Sequence, residues 1–103
     1  FNKSTEYMDN RISRYSMVMG KCEITGTFLN AEMIHCHHYL PIKLGGTDKY
    51  DNLRILHKDV HNLVHATETE IINKYKNSLR LDRDVINKIN NYRNKCNLKV
   101  LSW

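Results

Sequence analysis

The stretch IHCHHYLP, residues 34–41, places three histidines within four positions of a chain that has only six. The run over residues 33–38 predicts a β-strand, and Pro41 with the glycines after it predicts a loop. Beyond that loop, residues 52–56 predict a second strand, and residues 57–66 predict a helix with its apolar side chains on one side. The sequence therefore predicts a β-hairpin followed by a helix.

Helices are predicted on both sides of this unit, which gives an α+β fold. In the first twenty residues, apolar side chains recur at helical spacing up to Gly20 and favour a helix that packs on the rest. These apolar positions are Met8, Ile12, Tyr15 and Met19. The tail predicts two more helices, one opened by Thr67 with Glu70 as a capping box and one beginning near Asp82. In the last helix, the residues expected to face inward are Val85, Ile86, Ile89 and Tyr92.

Composition bounds the class of protein. With 103 residues, 41% of them hydrophobic, the chain has the size of one globular domain. It holds no apolar run long enough to cross a bilayer, and it starts at Phe1 rather than methionine, which favours a piece of a longer polypeptide. Three cysteines without regular spacing argue against a secreted disulfide scaffold. We expect a soluble protein of a reducing compartment, the cytoplasm.

The net charge of +5 favours a polyanionic partner. Lys and Arg outnumber Asp and Glu by 8 to 7 through Ala66 and by 8 to 4 from Thr67 onward, so +4 of the excess lies in the tail. This predicts contacts with a phosphate backbone, and a solvated lysine-rich helix face is the alternative. The candidates for nucleic-acid binding are Arg83, Lys88, Arg93 and Lys95 in the tail, with Lys43 and Tyr50 near the hairpin loop.

Histidines on two predicted elements can converge on one ion. His61 and His65 lie four residues apart, so their side chains lie one helical turn apart on the same face. Alone, this spacing is more typical of structural histidines, but a third imidazole from the hairpin, His37, favours a metal site. Strand alternation puts His35 on the same face as His37. It points His38 to the other face, where that side chain is placed to act as a general base.

The whole constellation resembles the HNH endonuclease motif. The motif consists of His37 and His38, Asn52 fourteen residues after His38, His61 nine residues after Asn52, and then His65, set around a proline and a glycine pair. The resemblance covers residues 22–66 and implies the ββα-metal (His-Me finger) fold and cleavage of a DNA phosphodiester. By position, it implies that His38 activates water and that Asn52 holds the hairpin loop and orients this base. It further implies that His37, His61 and His65 are metal ligands.

The same resemblance implies one divalent metal ion, with magnesium or manganese as the working cofactor. Zinc or nickel can also occupy an imidazole site of this kind. Many relatives carry an additional structural zinc on two Cys-x-x-Cys pairs, whereas the corresponding positions here hold Cys22 with Thr25 and His57 with Val60. Because a closed structural site needs four ligands, we expect no structural zinc and predict that Cys22 and His57 are buried packing residues.

A longer match, residues 21–67 and 86–96, resembles the C-terminal end of bacterial group II intron-encoded reverse transcriptase/maturase proteins. It implies a bacterial cytosolic protein that nicks one strand of double-stranded DNA to give a 3′ primer. The partners would be intron RNA and the rest of the parent protein. The chain would then be one endonuclease domain, with residues 1–20 ending a DNA-binding segment, 21–66 forming the core and 67–103 a basic helical tail. Two alternatives stay open: a freestanding phage or restriction-type HNH nuclease, and a module that binds metal and nucleic acid without turnover.

Overall fold

The computed structural model describes residues 4–102 as an α+β fold in which a β-hairpin is followed by a helix and flanked by others. This confirms the predicted fold class and order of elements. The regular elements are α1 (Thr5–Met17), β1 (Ile34–His38), β2 (Leu53–His57), α2 (Lys58–His65), α3 (Thr69–Ser78) and α4 (Arg83–Lys95). Short 3-10 helices occupy Ala31–Met33, Ile42–Leu44 and Tyr50–Asn52.

The hairpin and α2 differ from the predicted ranges by about one residue at each end. β1 and β2 pair antiparallel, with His38 opposite Leu53 and Ile34 opposite His57. The chain turns directly from β2 into α2, and the His57 imidazole Nδ1 accepts the backbone N–H of Asp59 at 3.0 Å. His57 is therefore a helix N-cap rather than the buried packing residue that the sequence predicted, whereas Cys22 is buried as expected.

The hydrophobic core lies between β2, α2 and α4. The side chains of Leu53, Ile55 and Leu56 on β2 are fully buried, since the strand is covered on both faces. The buried residues that α2 and α4 contribute are Val60, Leu63, Val64, Ile86, Ile89 and Tyr92. On α4, these are the positions that helical periodicity placed inward, with Val85 half-buried beside them. The core therefore fixes α2, which carries two of the histidines, against the hairpin.

Helix α1 packs on the rest of the fold, as expected, and contacts β2. Of the four apolar positions, Tyr15 packs against the core, whereas Met8, Ile12 and Met19 are exposed by 40%, 61% and 70%. The buried residue of the helix is Tyr7. Polar side chains add to the packing, above all Arg14, whose guanidinium donates to the Glu23 carboxylate at 2.7 and 3.1 Å.

Of the two predicted N-caps in the C-terminal helices, that of α4 is confirmed and that of α3 is wrong. The Asp82 carboxylate accepts the backbone N–H of Val85 at 2.8 Å and caps α4, as predicted. The capping box of Thr67 and Glu70 is wrong: the N-cap of α3 is Glu68, and its side chain makes no capping hydrogen bond. Within residues 4–102, no helix is both long and apolar enough to cross a membrane.

Arg93 on α4 is buried, with 2% of its surface exposed, so the prediction that it faces water or a phosphate backbone was wrong. Its guanidinium donates through NH1 to the carbonyls of Leu63, Val64 and Ala66 at 2.9, 3.2 and 2.7 Å, and through Nε to the Lys99 carbonyl at 2.6 Å. The first three carbonyls belong to the end of α2 and would otherwise lack partners. A cation at the C-terminus of a helix also interacts favourably with the helix dipole.

Candidate active site

Four histidines from β1 and α2 form one cluster. The imidazole Nδ1 atoms of His35 and His61 lie 2.9 Å apart, and His37 Nδ1 lies 3.2 Å from His65 Nε2. The ring centroids of His61 and His65 are 4.7 Å apart, and each is 5.0 Å from that of His37. Strand alternation and helical spacing both predicted this convergence, because β1 presents alternate side chains to the face that α2 covers.

Burial keeps three histidines of the cluster neutral. Removal from water, together with the smaller effect of nearby histidines, lowers the pKa of His37 to about 3 and that of His61 to about 4. Burial also lowers the pKa of His65, and the positive charges of Arg93 and Lys43 act in the same direction. Near neutral pH each of these rings therefore keeps one unprotonated nitrogen, and neutral imidazole is the form that binds metal ions.

The residues present fit a divalent cation. His37 is 2% exposed, and its Nε2 atom is buried without a hydrogen-bond partner, a state that costs about 1–3 kcal/mol for a neutral group. Among residues 4–102, one group of three potential ligand atoms lies within 4.8 Å of one another, on His37, His65 and Cys96. His37 and His65 thus belong to both this group and the predicted ligand set, in which His61 is the third member.

His38 lies on the opposite side of β1, as predicted, and contacts a different set of groups. Its Nε2 is 2.8 Å from the Asp48 carboxylate, and its ring stacks on Tyr7 of α1 at 5.5 Å between centroids. A carboxylate only accepts hydrogen bonds, so neutral His38 carries its proton on Nε2 and its lone pair on Nδ1. The Ser4 hydroxyl and the Asn10 amide donate to Asp48 in turn.

Asn52 holds the loop that joins the two strands. Its side-chain amide donates to the carbonyls of Leu40 and Thr47 at 3.0 and 2.8 Å, and its Oδ1 accepts the Leu40 N–H at 2.8 Å. The loop passes so close to itself that a Cβ on Gly46 would lie 1.8 Å from the Leu40 carbonyl oxygen. Asp48 lies between these anchor points, so the loop sets the position of the carboxylate that contacts His38.

The two halves of the site open on one cleft of about 360 Å³, whose walls include His37, His38, Lys43, His61 and His65. Two kinds of group therefore border the same cleft: neutral imidazole nitrogens that could hold a cation, and His38 with its carboxylate partner. This arrangement is able to polarise a bound phosphate oxygen and to accept a proton from water beside it.

The other predicted nucleic-acid contacts lie at several places on the surface. Lys43 is exposed at the cleft, and Tyr50 is half-buried under the guanidinium of Arg14. Lys95 is exposed, with its ammonium 5.9 Å from the Tyr39 ring centroid. Arg83 and Lys88 are exposed on α4.

Two residues of the site were missed by sequence reasoning. Asp48 lies in the loop predicted after Pro41, and the sequence pattern assigned no role to its carboxylate. Cys96 follows α4, far along the chain from the histidines, and no spacing connected it with them. Its approach to His37 and His65 depends on the packing of α4, which a pattern of residues does not specify.

These features define a ββα-metal arrangement: a hairpin and a helix that carry clustered histidines around a cleft. Residues 20–67 match the family model for the HNH endonuclease. That segment holds the hairpin, α2, His37, His38, Asn52, His61 and His65. No curated protein and no solved structure matches the chain.

Acid should destabilise the metal-free protein through the histidine cluster. The unfolded chain binds protons at histidines with pKa values near 6.5, whereas His37 and His61 in the fold resist protonation down to about pH 3 and 4. The stabilisation is present above about pH 6.5 and is lost as the pH falls, by about 1.4 kcal/mol per pH unit for each linked proton. Urea unfolding in chelator between pH 7 and 5 measures this slope before most carboxylates titrate.

A His61→Leu variant provides the control for the acid prediction, because it removes one linked proton and should flatten the slope. A free energy of unfolding that stays constant from pH 7 to 5 in the wild type would contradict the buried, neutral state of the cluster.

Proposed function

We propose that this protein is a divalent-metal-dependent DNA endonuclease that nicks one strand by hydrolysing a phosphodiester. The observation that carries the proposal is the cleft bordered by the His37, His61 and His65 imidazoles and by His38, whose Nε2 contacts the Asp48 carboxylate. A possible metal site and a possible general base thus border one cleft, and the matched family model supports the assignment.

His38 acts as the general base. With Nε2–H directed at Asp48, the lone pair on Nδ1 accepts a proton from water while the water oxygen attacks phosphorus. The P–O3′ bond then breaks and the departing 3′ oxygen takes a proton from solvent, which leaves a 3′ hydroxyl and a 5′ phosphate. Asp48 is a positioning residue, because its carboxylate fixes the tautomer of His38 and compensates the positive charge that the ring acquires.

The cluster of His37, His61 and His65 would hold the metal ion, with magnesium or manganese as the cofactor that supports turnover. When bound, the ion supplies Lewis acidity to a phosphate oxygen and to the departing 3′ oxygen. The protein contributes neutral ligands on a rigid strand and helix. Burial of His37 keeps water from competing for its buried nitrogen.

Double-stranded DNA would lie across the cleft. Lys43 lies at the cleft itself, and the exposed cations of α4 offer further places for contact with a phosphate backbone. The proposed contacts are Lys43, Tyr50, Arg83, Lys88 and Lys95. Arg93 is not among them, since its guanidinium is buried against carbonyls.

Supercoiled plasmid incubated with the full chain tests the activity directly. We expect conversion to open circles in magnesium or manganese and no conversion in chelator. If the folded protein binds metal yet leaves the plasmid intact with each ion, the endonuclease proposal fails. The module that binds metal and nucleic acid without turnover then becomes the better assignment.

Within this activity, we propose the role of making the 3′ primer for group II intron insertion, with intron RNA and the reverse transcriptase/maturase part of a parent protein as partners. The support is the resemblance of residues 21–67 and 86–96 to such proteins. Open circles made by the chain should serve as templates for a DNA polymerase that extends a 3′ hydroxyl. A reverse transcriptase reading frame beside this sequence would favour the proposal, and its absence would favour a freestanding phage or restriction-type nuclease.

Changing Asn52 to aspartate should loosen the loop that holds Asp48. The substitution removes the donor to the Leu40 and Thr47 carbonyls and places a carboxylate against both oxygens. We expect a loss of about 2–3 kcal/mol in the free energy of unfolding and a fall of at least about tenfold in nicking. The exposed Asn91 on α4 offers the matched control, because Asn91→Asp adds the same charge without touching the loop. Equal effects of the two substitutions would contradict the role assigned to Asn52.

A further inference from the structure

Cys96 lies beside the histidine cluster although it comes from outside the segment that matches the HNH endonuclease model. It is the residue that ends α4, and only 9% of its surface is exposed. Its sulfur and ligand nitrogens of His37 and His65 all lie within 4.8 Å of one another. The other two thiols do not belong to such a group within residues 4–102.

The spacing of the two imidazoles already suits a small metal ion. His37 Nδ1 and His65 Nε2 are 3.2 Å apart. Two nitrogens at adjacent corners of a tetrahedral zinc site lie about 3.3 Å apart, given Zn–N bonds of about 2.0–2.1 Å. The same two nitrogens form a hydrogen bond in the metal-free protein, and an ion between them would replace the proton that they share.

We propose that Cys96 is a metal ligand that acts with His37 and His65 to form a two-histidine, one-thiolate site for zinc and other thiophilic divalent ions. The inference deepens the proposed function, because two of its ligands are shared with the site for the catalytic ion. Thiolate sulfur favours zinc, cadmium and cobalt, whereas magnesium prefers oxygen ligands.

Formation of this site links metal binding to the C-terminal helix. As the sulfur–metal bond forms, the Cys96 thiol releases its proton to solvent. A zinc ion held in this way joins β1, α2 and the end of α4, and it takes His37 and His65 away from a magnesium ion.

Cobalt provides a spectroscopic probe that does not depend on nuclease activity. The metal-free full chain is titrated with Co²⁺ while the sulfur-to-cobalt charge-transfer absorption in the near ultraviolet is recorded. We expect the band in the wild type and in Cys36→Ser, and its loss in Cys96→Ser together with a fall of at least about tenfold in zinc affinity. Cys36 is the matched control, since it lies on β1 between two cluster histidines but outside the group of three.

A second measurement needs no variant and so avoids any folding defect. In a urea concentration at which the metal-free wild type exposes Cys96 to iodoacetamide, zinc should protect this thiol from alkylation while magnesium should not, as mass spectrometry of the digested protein would show. Absence of the cobalt band in the wild type, persistence of the band in Cys96→Ser, or no protection by zinc would overturn the inference. Nicking in magnesium by a wild type that lacks the band would leave the proposed function standing and reject only the role of Cys96.

Discussion

Alanine at position 38 is expected to reduce plasmid nicking by about 10²–10⁴-fold, the range that general base catalysis contributes. The substitution removes the Nδ1 lone pair that would take the proton from water, while the proposed metal ligands on the other face of β1 and on α2 stay in place. The expected signature is a fall in kcat at saturating magnesium. Metal binding, measured by calorimetry, should change little.

The control for His38→Ala is a histidine that lies outside the cleft. His57 caps α2 through its ring, and asparagine is also a favoured N-cap, so His57→Asn removes an imidazole while keeping the helix start. We expect this variant to nick DNA at nearly the wild-type rate. Added imidazole should restore part of the activity of His38→Ala, because a free base can enter the open cleft. Activity of folded His38→Ala within about threefold of the wild type would remove His38 from the proposed mechanism.

The central unit was predictable because its signals are local. Alternation along residues 33–38 put His35 and His37 on one face, and the four-residue spacing of His61 and His65 put them together on α2. The positions of Asn52 and His38 within the motif also lie in this short segment of the chain. These are properties of short segments, and the hairpin leaves few ways to arrange them.

Contacts between distant segments of the chain could not be predicted from local periodicity. By its position in the helical pattern of α4, Arg93 was predicted to lie on the surface. It donates instead to carbonyls at the end of α2, and these contacts depend on how α4 packs on α2. The packing of α4 also places Cys96 beside His37 and His65, which the sequence pattern did not predict.

In α1, helical spacing did not show which apolar positions are buried: Tyr15 packs on the core, whereas Met8 and Ile12 are exposed. Other contacts of that helix are polar, such as the Arg14–Glu23 ion pair, and spacing does not predict them.

Arg93→Met is expected to lower the free energy of unfolding by about 3–5 kcal/mol, since three carbonyls at the end of α2 and that of Lys99 lose their donor inside the protein. In a domain of this size, such a loss corresponds to a fall of more than about 10 °C in Tm. Because His65 is the last residue of α2, the frayed helix end should also weaken metal binding. Thermal unfolding with and without metal measures both effects.

The control that separates the two roles considered for Arg93 is Arg83→Met, which removes an exposed charge from the same helix. Arg83→Met should leave Tm nearly unchanged and weaken DNA binding with a smaller dependence on salt, as loss of a phosphate contact does. Arg93→Lys should fall between wild type and Arg93→Met in stability, because an ammonium keeps the charge but cannot reach all four carbonyls in the geometry of the guanidinium. If Arg93→Met instead kept its stability and lost DNA affinity with a reduced salt dependence, the arginine would contact phosphate in the complex. Its burial against α2 would then describe only the free protein.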